Sequence, residues 1–370
     1  MANAKIGKKF TKGRAEEFRQ RLLEWYDSHA RVLPWRYTKK QKPDPYCVWL
    51  SEIMLQQTTV AAVGPYYRKF TEKWPDIAAL AGARQEEIIQ EWAGLGYYSR
   101  ARNLHKCAGI VAKDLRGVFP QEQEELKRLP GIGDYTSGAI RAIAFNKPAT
   151  VVDGNVERIM ARYFAWPVPM PDAKKNLKNL AAGLYDHYED RPGDLAQALM
   201  DLGATICTPK SPRCGLCPVS QHCEGRKKKI AANLPLQNKK KAKPKKFGYV
   251  YWVTNSKGQV LVERRPEKGL LGGMSGLPTS EWALKTAKSP PAGPEIMSHF
   301  KTGDWASKPV SILHSFTHFD LELVLKTGKL GKSTISGPFR WLDKAQLEKA
   351  GFPTVFKKAV RLFMQDTPSG

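Results

Sequence analysis

Four cysteines, Cys207, Cys214, Cys217 and Cys223, stand at spacing C-x6-C-x2-C-x5-C. Four thiolates within seventeen residues are enough to wrap one metal centre. Structural zinc usually takes two pairs of ligands, each pair closely spaced. The single uneven loop here suits a cubane iron–sulfur cluster at least as well, and spacing alone leaves both open. Lys210, Arg213, Arg226 and Lys227 make the loop basic, so either metal would brace a surface facing a phosphate backbone. The other two cysteines, Cys47 and Cys107, fall in helical segments and read as core residues.

Two carboxylates stand in unusual company. Glu52 lies in Val48-Trp-Leu-Ser-Glu-Ile-Met-Leu-Gln-Gln-Thr58, an otherwise apolar helix whose neighbours could raise its pKa and keep it protonated. A structural glutamate bonded to a loop would read the same way. Asp153 lies in Val151-Val-Asp-Gly-Asn-Val156, at the mouth of a helix, where it is either a plain N-cap or a poised carboxylate. An acid and a carboxylate in one pocket are what hydrolysis of a glycosidic bond through an oxocarbenium-like state requires. Between them, Leu129-Pro-Gly-Ile-Gly133 joins two helical segments. It is a simple turn, or one whose backbone N–H groups grip a phosphate at the next helix N-terminus.

The elements that must position these groups are legible as periods. From about Ala15 to Glu224 the pattern is helical: Val60, Val63, Tyr67, Phe70 and Trp74 repeat at three and four residues, as do Leu104, Ala108, Val111 and Leu115. Residues 226–246 hold ten Lys or Arg and read as a solvated linker, a spacer or an extra phosphate contact. Beyond it Tyr249, Tyr251 and Val253 alternate, as do Leu321, Leu323 and Leu325, which predicts strands; residues 344–366 return to a helical pattern. The expected division is a basic N-terminal tail over 1–14, a helical catalytic domain over 15–225, the linker, and a mixed α/β domain over 247–366. Lys plus Arg outnumber Asp plus Glu by 60 to 35, a net charge of +25, which points to nucleic acid as partner. No apolar run is long enough to span a membrane. The basic N-terminus lacks the apolar core of a secretory signal, so the cysteines argue for metal or free thiols rather than disulfides. The expected location is cytoplasmic, on the nucleoid in a bacterium.

Together, the hairpin, Asp153 and the cysteine loop resemble the helix–hairpin–helix DNA glycosylase superfamily with an iron–sulfur loop. Within it, SEIMLQQT, GLGYYSRARNL, LPGIGDYT, VVDGNV and ALMDLGATICTP, with the strand-rich extension, resemble the MutY-type adenine DNA glycosylases. The likeness runs from Glu17 to about Met364. It implies an all-α glycosylase domain with a [4Fe–4S] loop, then a Nudix-like mixed α/β domain. It also implies a monomer that removes adenine mispaired with 8-oxoguanine or guanine in double-stranded DNA and leaves an abasic site. Glu52 matches the general acid, Asp153 the carboxylate that stabilises the charged sugar, and Tyr135 and Asn155 residues that orient this centre. Arg31, Arg36 and Gln197 fall where the family lines the adenine pocket. Trp35, Gln57, Thr58, Leu95 and Tyr97 fall where it holds the lesion strand, Gln57 and Tyr97 as wedges. Gly131 and Gly133 match the hairpin that grips the DNA backbone. The four cysteines would hold one [4Fe–4S] cluster. Bifunctional endonuclease III enzymes place a nucleophilic lysine where this chain has Tyr135, so strong lyase activity is not expected.

The C-terminal domain resembles the family's 8-oxoguanine recognition domain, with two departures. The loop usually reads Phe-Ser-His; here it is Phe316-Thr317-His318, with Phe316, Thr317 and His318 the expected lesion contacts. The segment after Met274 lacks the aromatic often found there. No Glu-rich Nudix helix is present to hold magnesium, so this domain should bind rather than hydrolyse. A non-catalytic lesion binder and a nucleotide-pool pyrophosphatase are the rival readings; the paired carboxylates speak against the first and the missing metal helix against the second.

Overall fold

In a computed structural model the described residues are 9–37, 42–238, 242–266, 269–285, 306–330, 335, 337–348 and 350–365, with the side chains of 307–309 excepted. The chain divides into two compact units, Met1–Lys239 and Lys240–Gly370. The first is helical, and among its described residues no helix is long and apolar enough to cross a membrane.

The first unit packs around two apolar clusters. One gathers Phe18, Leu22, Ile159, Leu177, Leu195 and Leu199; the other gathers Trp49, Ile53, Phe70, Trp92, Leu104 and Ile140. Each such side chain withdrawn from water contributes roughly 1.5–3 kcal/mol. The helix Asp134–Phe145 belongs to both, with Ala139 and Ala142 in the first cluster and Ile140 and Ala144 in the second. Its 3.6-residue period turns alternate faces to the two cores. The site described below lies where they meet.

Local signals explain the elements that frame it. Asp44 caps the helix Pro45–Leu55 by accepting from the Tyr46 N–H at 2.9 Å, and Pro45 sits in the first turn, where its missing N–H costs nothing. This helix is buried from Tyr46 through Met54 except at Cys47, so it runs through the core rather than over it. It ends at Gln56, and Gln57 turns left-handed at φ 58°. Gly131 provides the positive φ of the hairpin, 81°, before the helix Asp134–Phe145 begins. Gly203, in the helix Pro192–Thr205, lets that helix touch the next element closely: a Cβ there would lie 2.4 Å from the Cβ of Asn155.

The second unit is built on a mixed sheet. Its strands are β1 (Lys245–Thr254), β2 (Val260–Arg264), β3 (Ser275–Gly276), β4 (Ala283–Leu284), β5 (Ala306–Ser315), β6 (Asp320–Lys329) and β7 (Phe339–Leu342). The order is β3-β2-β1-β6-β5, with β4 on β1 and β7 on β2. β1 and β6 run parallel with Lys245 opposite Asp320, and β5 and β6 are antiparallel. Leu321, Leu323 and Leu325 face the main core with the helix Thr354–Gln365, while Tyr251 and Val253 bury the other face with Leu261.

Three boundaries differ from the sequence reading. The segment 226–246 is not a linker throughout. Leu234 is buried, its carbonyl accepts from Arg162 Nε at 2.9 Å, and Met170 N–H donates to Leu236 at 2.8 Å, while Lys245 and Lys246 already belong to β1. Leu234 and Leu236 thus anchor the part of this segment before residue 239 to the helical unit. The tail read over 1–14 is packed from Phe10, whose ring meets Phe18, Tyr163 and Phe164 within 5.5 Å, and the first helix starts at Lys12; residues 1–8 lie outside the described ones. The final helix starts at Thr354, not 344, because Gly351 adopts a φ of 70° and Pro353 follows. Residue 366, the expected domain end, lies outside the described residues.

Candidate active site and iron–sulfur loop

A cavity of about 410 Å³ opens between the two cores of the helical unit. Glu52 enters it from the helix Pro45–Leu55, Tyr135 from Asp134–Phe145, Asp153 and Asn155 from the start of Gly154–Tyr163, and Gln197 from Pro192–Thr205. Arg31, Trp35 and Arg36 reach it from the segment after the first helix, and Gln57 and Thr58 from the turn after the second.

Glu52 is 4% exposed, and its Oε2 has no hydrogen-bond partner. Burial pushes its pKa up to about 7; the Tyr135 hydroxyl and the Arg36 guanidinium pull it down, and Asp153 pushes it further up. A carboxyl held this way is a neutral acid with an oxygen to spare near physiological pH. Asp153 does two things at once. Its Oδ1 accepts the Val156 N–H at 2.8 Å and so caps the helix Gly154–Tyr163, while its Oδ2 accepts from Asn155 Nδ2 at 2.7 Å. Tyr135 lies between the two carboxylates; burial raises its phenol well above the ordinary value, so it remains a neutral donor.

Several supporting residues carry no sequence signal. Arg100 is buried and donates to the carbonyls of Ile53, Met54, Leu95 and Gly96 and to Thr58 Oγ1. It ties the end of the Glu52 helix to the loop 94–97. Gln56 Nε2 reaches Thr136 Oγ1 at 3.1 Å, joining the same turn to the hairpin helix. Asp201, fully buried, accepts from Arg31 and Arg36. Only the contacts they make far along the chain reveal them.

Leu95, Tyr97, Gly131 and Gly133 stand apart from the cavity. Leu95 is buried and presents its carbonyl to Arg100, and Trp35, also buried, packs its ring on Tyr67 at 5.5 Å while lining the cavity. Tyr97 is 52% exposed with a left-handed φ of 47°, on the loop rather than in the cavity. Gly131 and Gly133 are exposed on the hairpin. In the second unit, Phe316 and Phe319 close a tight turn between β5 and β6 through the Phe316 N–H at 2.9 Å. Phe316 is half-buried against Trp282 and Phe319, while Thr317 and His318 are exposed at the tip. His318 therefore does not pack beneath Phe319.

The four cysteines line one apolar cavity with Arg162, Ile206 and Ala231. Their four side chains face the same space, as ligands of one shared metal centre must. Burial raises the Cys217 thiol to about 12 and lifts Cys223 as well. Arg162 donates to Cys207 Sγ at 3.3 Å and to the carbonyls of Cys207, Thr208 and Pro209, a cation already set against an anionic cluster.

Comparison with known proteins agrees with this layout. Residues 50–184 match the HhH-GPD superfamily base excision DNA repair protein family, 207–223 the iron–sulfur binding domain of endonuclease III, and 249–362 the NUDIX domain. The chain is similar to the adenine DNA glycosylase of Homo sapiens, 34% identical over 95% of this chain and 74% of the human protein. Its similarity to the adenine DNA glycosylase of Buchnera aphidicola subsp. Schizaphis graminum is 32% identity, over 94% of this chain and 98% of that protein. The solved structure of a thermostable thymine-DNA glycosylase superposes with a TM-score of 0.52 at 30% identity, over 58% of this chain and 98% of the other. With the helical unit, the cysteine loop and the Nudix-like sheet each matched in order, the chain belongs to the adenine DNA glycosylases, base-excision-repair enzymes that carry a [4Fe–4S] cluster.

Proposed function

We propose that this glycosylase hydrolyses the N-glycosidic bond of adenine mispaired with 8-oxoguanine, or with guanine, in duplex DNA. The observation that carries the reading is the convergence of Glu52, buried and with one oxygen unpartnered, and Asp153 on one cavity. In the mechanism, adenine is flipped out of the stack into the cavity between Arg31, Arg36 and Gln197. Glu52 protonates a ring nitrogen of the base, which makes it a leaving group. As the bond breaks, positive charge grows on the sugar, and Asp153, oriented by Asn155, stabilises it. Water completes the hydrolysis and an abasic site remains. Tyr135 has no amine to form a Schiff base, so the strand is left intact.

The remaining residues serve DNA. Gln57 and Tyr97 fill the gap in the stack, Trp35, Thr58 and Leu95 shape the surface around it, and the backbone N–H groups at Gly131 and Gly133 hold a phosphate. Cys207, Cys214, Cys217 and Cys223 hold the cluster, which when bound cross-links the loop and takes no part in the chemistry. Phe316, Thr317 and His318 read the 8-oxoguanine strand. The chain acts as a monomer in this reading, with Glu52, Tyr135, Asp153 and Gln197 all drawn from its own helices. Its workplace in this reading is cytoplasmic, on the nucleoid where the cell is bacterial.

The test is direct. Duplexes carrying adenine opposite 8-oxoguanine, guanine or cytosine are incubated with pure protein and then treated with alkali. Cleavage at adenine opposite 8-oxoguanine and guanine, and not opposite cytosine, is the expected result. Equal cleavage of all three, or none, overturns the reading.

A further inference from the structure

Asp201 lies one turn beyond Gln197 in the helix Pro192–Thr205 and is 0% exposed. A carboxylate with no water around it must find donors and cations in the protein. All three of its side-chain donors come from the segment after the first helix: the Arg31 N–H at 3.0 Å, Arg31 Nε at 2.7 Å and Arg36 Nη2 at 3.1 Å. The other arm of Arg36 donates to the Tyr26 hydroxyl at 2.7 Å. Both guanidiniums are therefore fixed, and both lie on the wall of the catalytic cavity.

This arrangement has an electrostatic side. The groups that face Glu52 are Tyr135 from the helix Asp134–Phe145, Arg36 from the segment before its own helix, and Asp153 from the following cap. Arg36 opposes the protonated state that an acid needs, and a second unpaired arginine in the same wall would oppose it more. Asp201 is the anion that reduces two cations to a net charge of one.

We propose that Asp201 is a positioning residue of the adenine pocket, fixing Arg31 and Arg36 as donors on its wall and offsetting one of their charges at Glu52. The inference rests on the reading of Glu52 as the acid. Asp201→Asn keeps the shape and one acceptor oxygen but removes the charge.

Single-turnover adenine excision at saturating enzyme is measured over roughly pH 5 to 9 for wild type, Asp201→Asn, Arg31→Gln and the double variant. The alkaline limb should move down, by up to about one pH unit, in Asp201→Asn relative to wild type, because the cavity wall then carries one more net positive charge, which favours the carboxylate form of Glu52. The double variant should show the same shift relative to Arg31→Gln. That second comparison holds even where Asp201→Asn alone folds poorly, because Arg31→Gln removes the cation left without its partner. A merely structural Asp201 would lower the melting temperature and the rate at every pH with the limb unmoved in both backgrounds, and this result overturns the proposal. Glu52→Gln, run alongside, separates the two readings. If it excises adenine at the wild-type rate with the same limb, the acid assignment has failed; if it is inactive, the Asp201 comparison stands on its own.

Discussion

The guanidinium of Arg158 donates to Asn155 Oδ1 at 2.7 Å, and the same side chain donates through Nε to the carbonyl of Cys207 at 2.8 Å. Asn155 in turn donates to Asp153. One buried arginine thus connects Asn155, the partner of the carboxylate proposed to stabilise the sugar, to the first cysteine of the iron–sulfur loop. Arg158→Gln, which loses most of these charge-assisted bonds, should destabilise the helical unit by about 2–3 kcal/mol. It should also slow excision at saturating enzyme by on the order of tenfold or more through a loosened Asp153. Thermal melting and single-turnover rates measure the two effects; a variant with a lowered melting temperature but an unchanged rate would show that the link is structural only.

Glu52 makes a pH prediction with a definite sign. Its folded value, about 7, lies above the ordinary 4.5. In the proposed mechanism the protonated acid is the active form, so excision should hold below about pH 7 and fall by up to tenfold per unit above it. The same shift links to stability. Its contribution is fully present below pH 4.5 and is lost as pH rises through about 7, a change on the order of 3 kcal/mol. Glu52→Gln should abolish excision, retain DNA binding and flatten the fall in melting temperature across that window. Near-normal excision by this variant would move the acid to another residue.

Tyr135→Lys puts an amine where the sugar is attacked. It should gain some strand nicking, with a protein–DNA adduct trapped by borohydride, while wild type nicks only after alkali. Strong nicking by wild type without alkali would contradict a monofunctional mechanism.

Purified protein should be brown and contain iron and sulfide at about four each per chain. Cys217→Ser should be largely insoluble or weak in DNA binding, since the loop loses one of its four ties. A colourless active protein with one zinc would exclude the cluster.

The tip of the second unit is tested by Phe316→Ala with His318→Ala. An 8-oxoguanine paired with adenine displays its exocyclic amine in the major groove, where an ordinary guanine shows only its N7 and O6 acceptors. Loss of the reading loop should weaken binding to that duplex by about 1–3 kcal/mol. Binding to guanine–adenine duplexes and the excision rate at saturation should change much less. Equal losses on both duplexes would make the loop a source of general DNA affinity or folding only.

How much of this was legible in the sequence follows from the range of each interaction. The cysteine loop spans seventeen residues, and the Glu52 helix and the Asp153 cap are local patterns, so type and spacing were enough to single them out. The strand period at Leu321, Leu323 and Leu325 was equally local. Asp201 and Arg158 were missed because their partners lie 170 and 49 residues away, at Arg31 and Cys207, and a lone aspartate or arginine in a helix carries no mark of such a contact. The segment after Arg226 was misjudged for a related reason: its lysines speak for solvent, while the burial of Leu234 depends on a carbonyl contact with Arg162.

Asp153 holds the first turn of its helix with one oxygen and Asn155 with the other. Position 153 is therefore constrained by folding and, under the proposed mechanism, by chemistry as well. Glutamate would carry the charge but set it a methylene away from the Val156 N–H, losing the cap; serine or asparagine would keep the cap and lose the charge. A library of substitutions scored for activity and for protein abundance should show this as two separate profiles. Serine and asparagine variants should be abundant but inactive, glutamate less abundant, and aspartate alone should satisfy both screens.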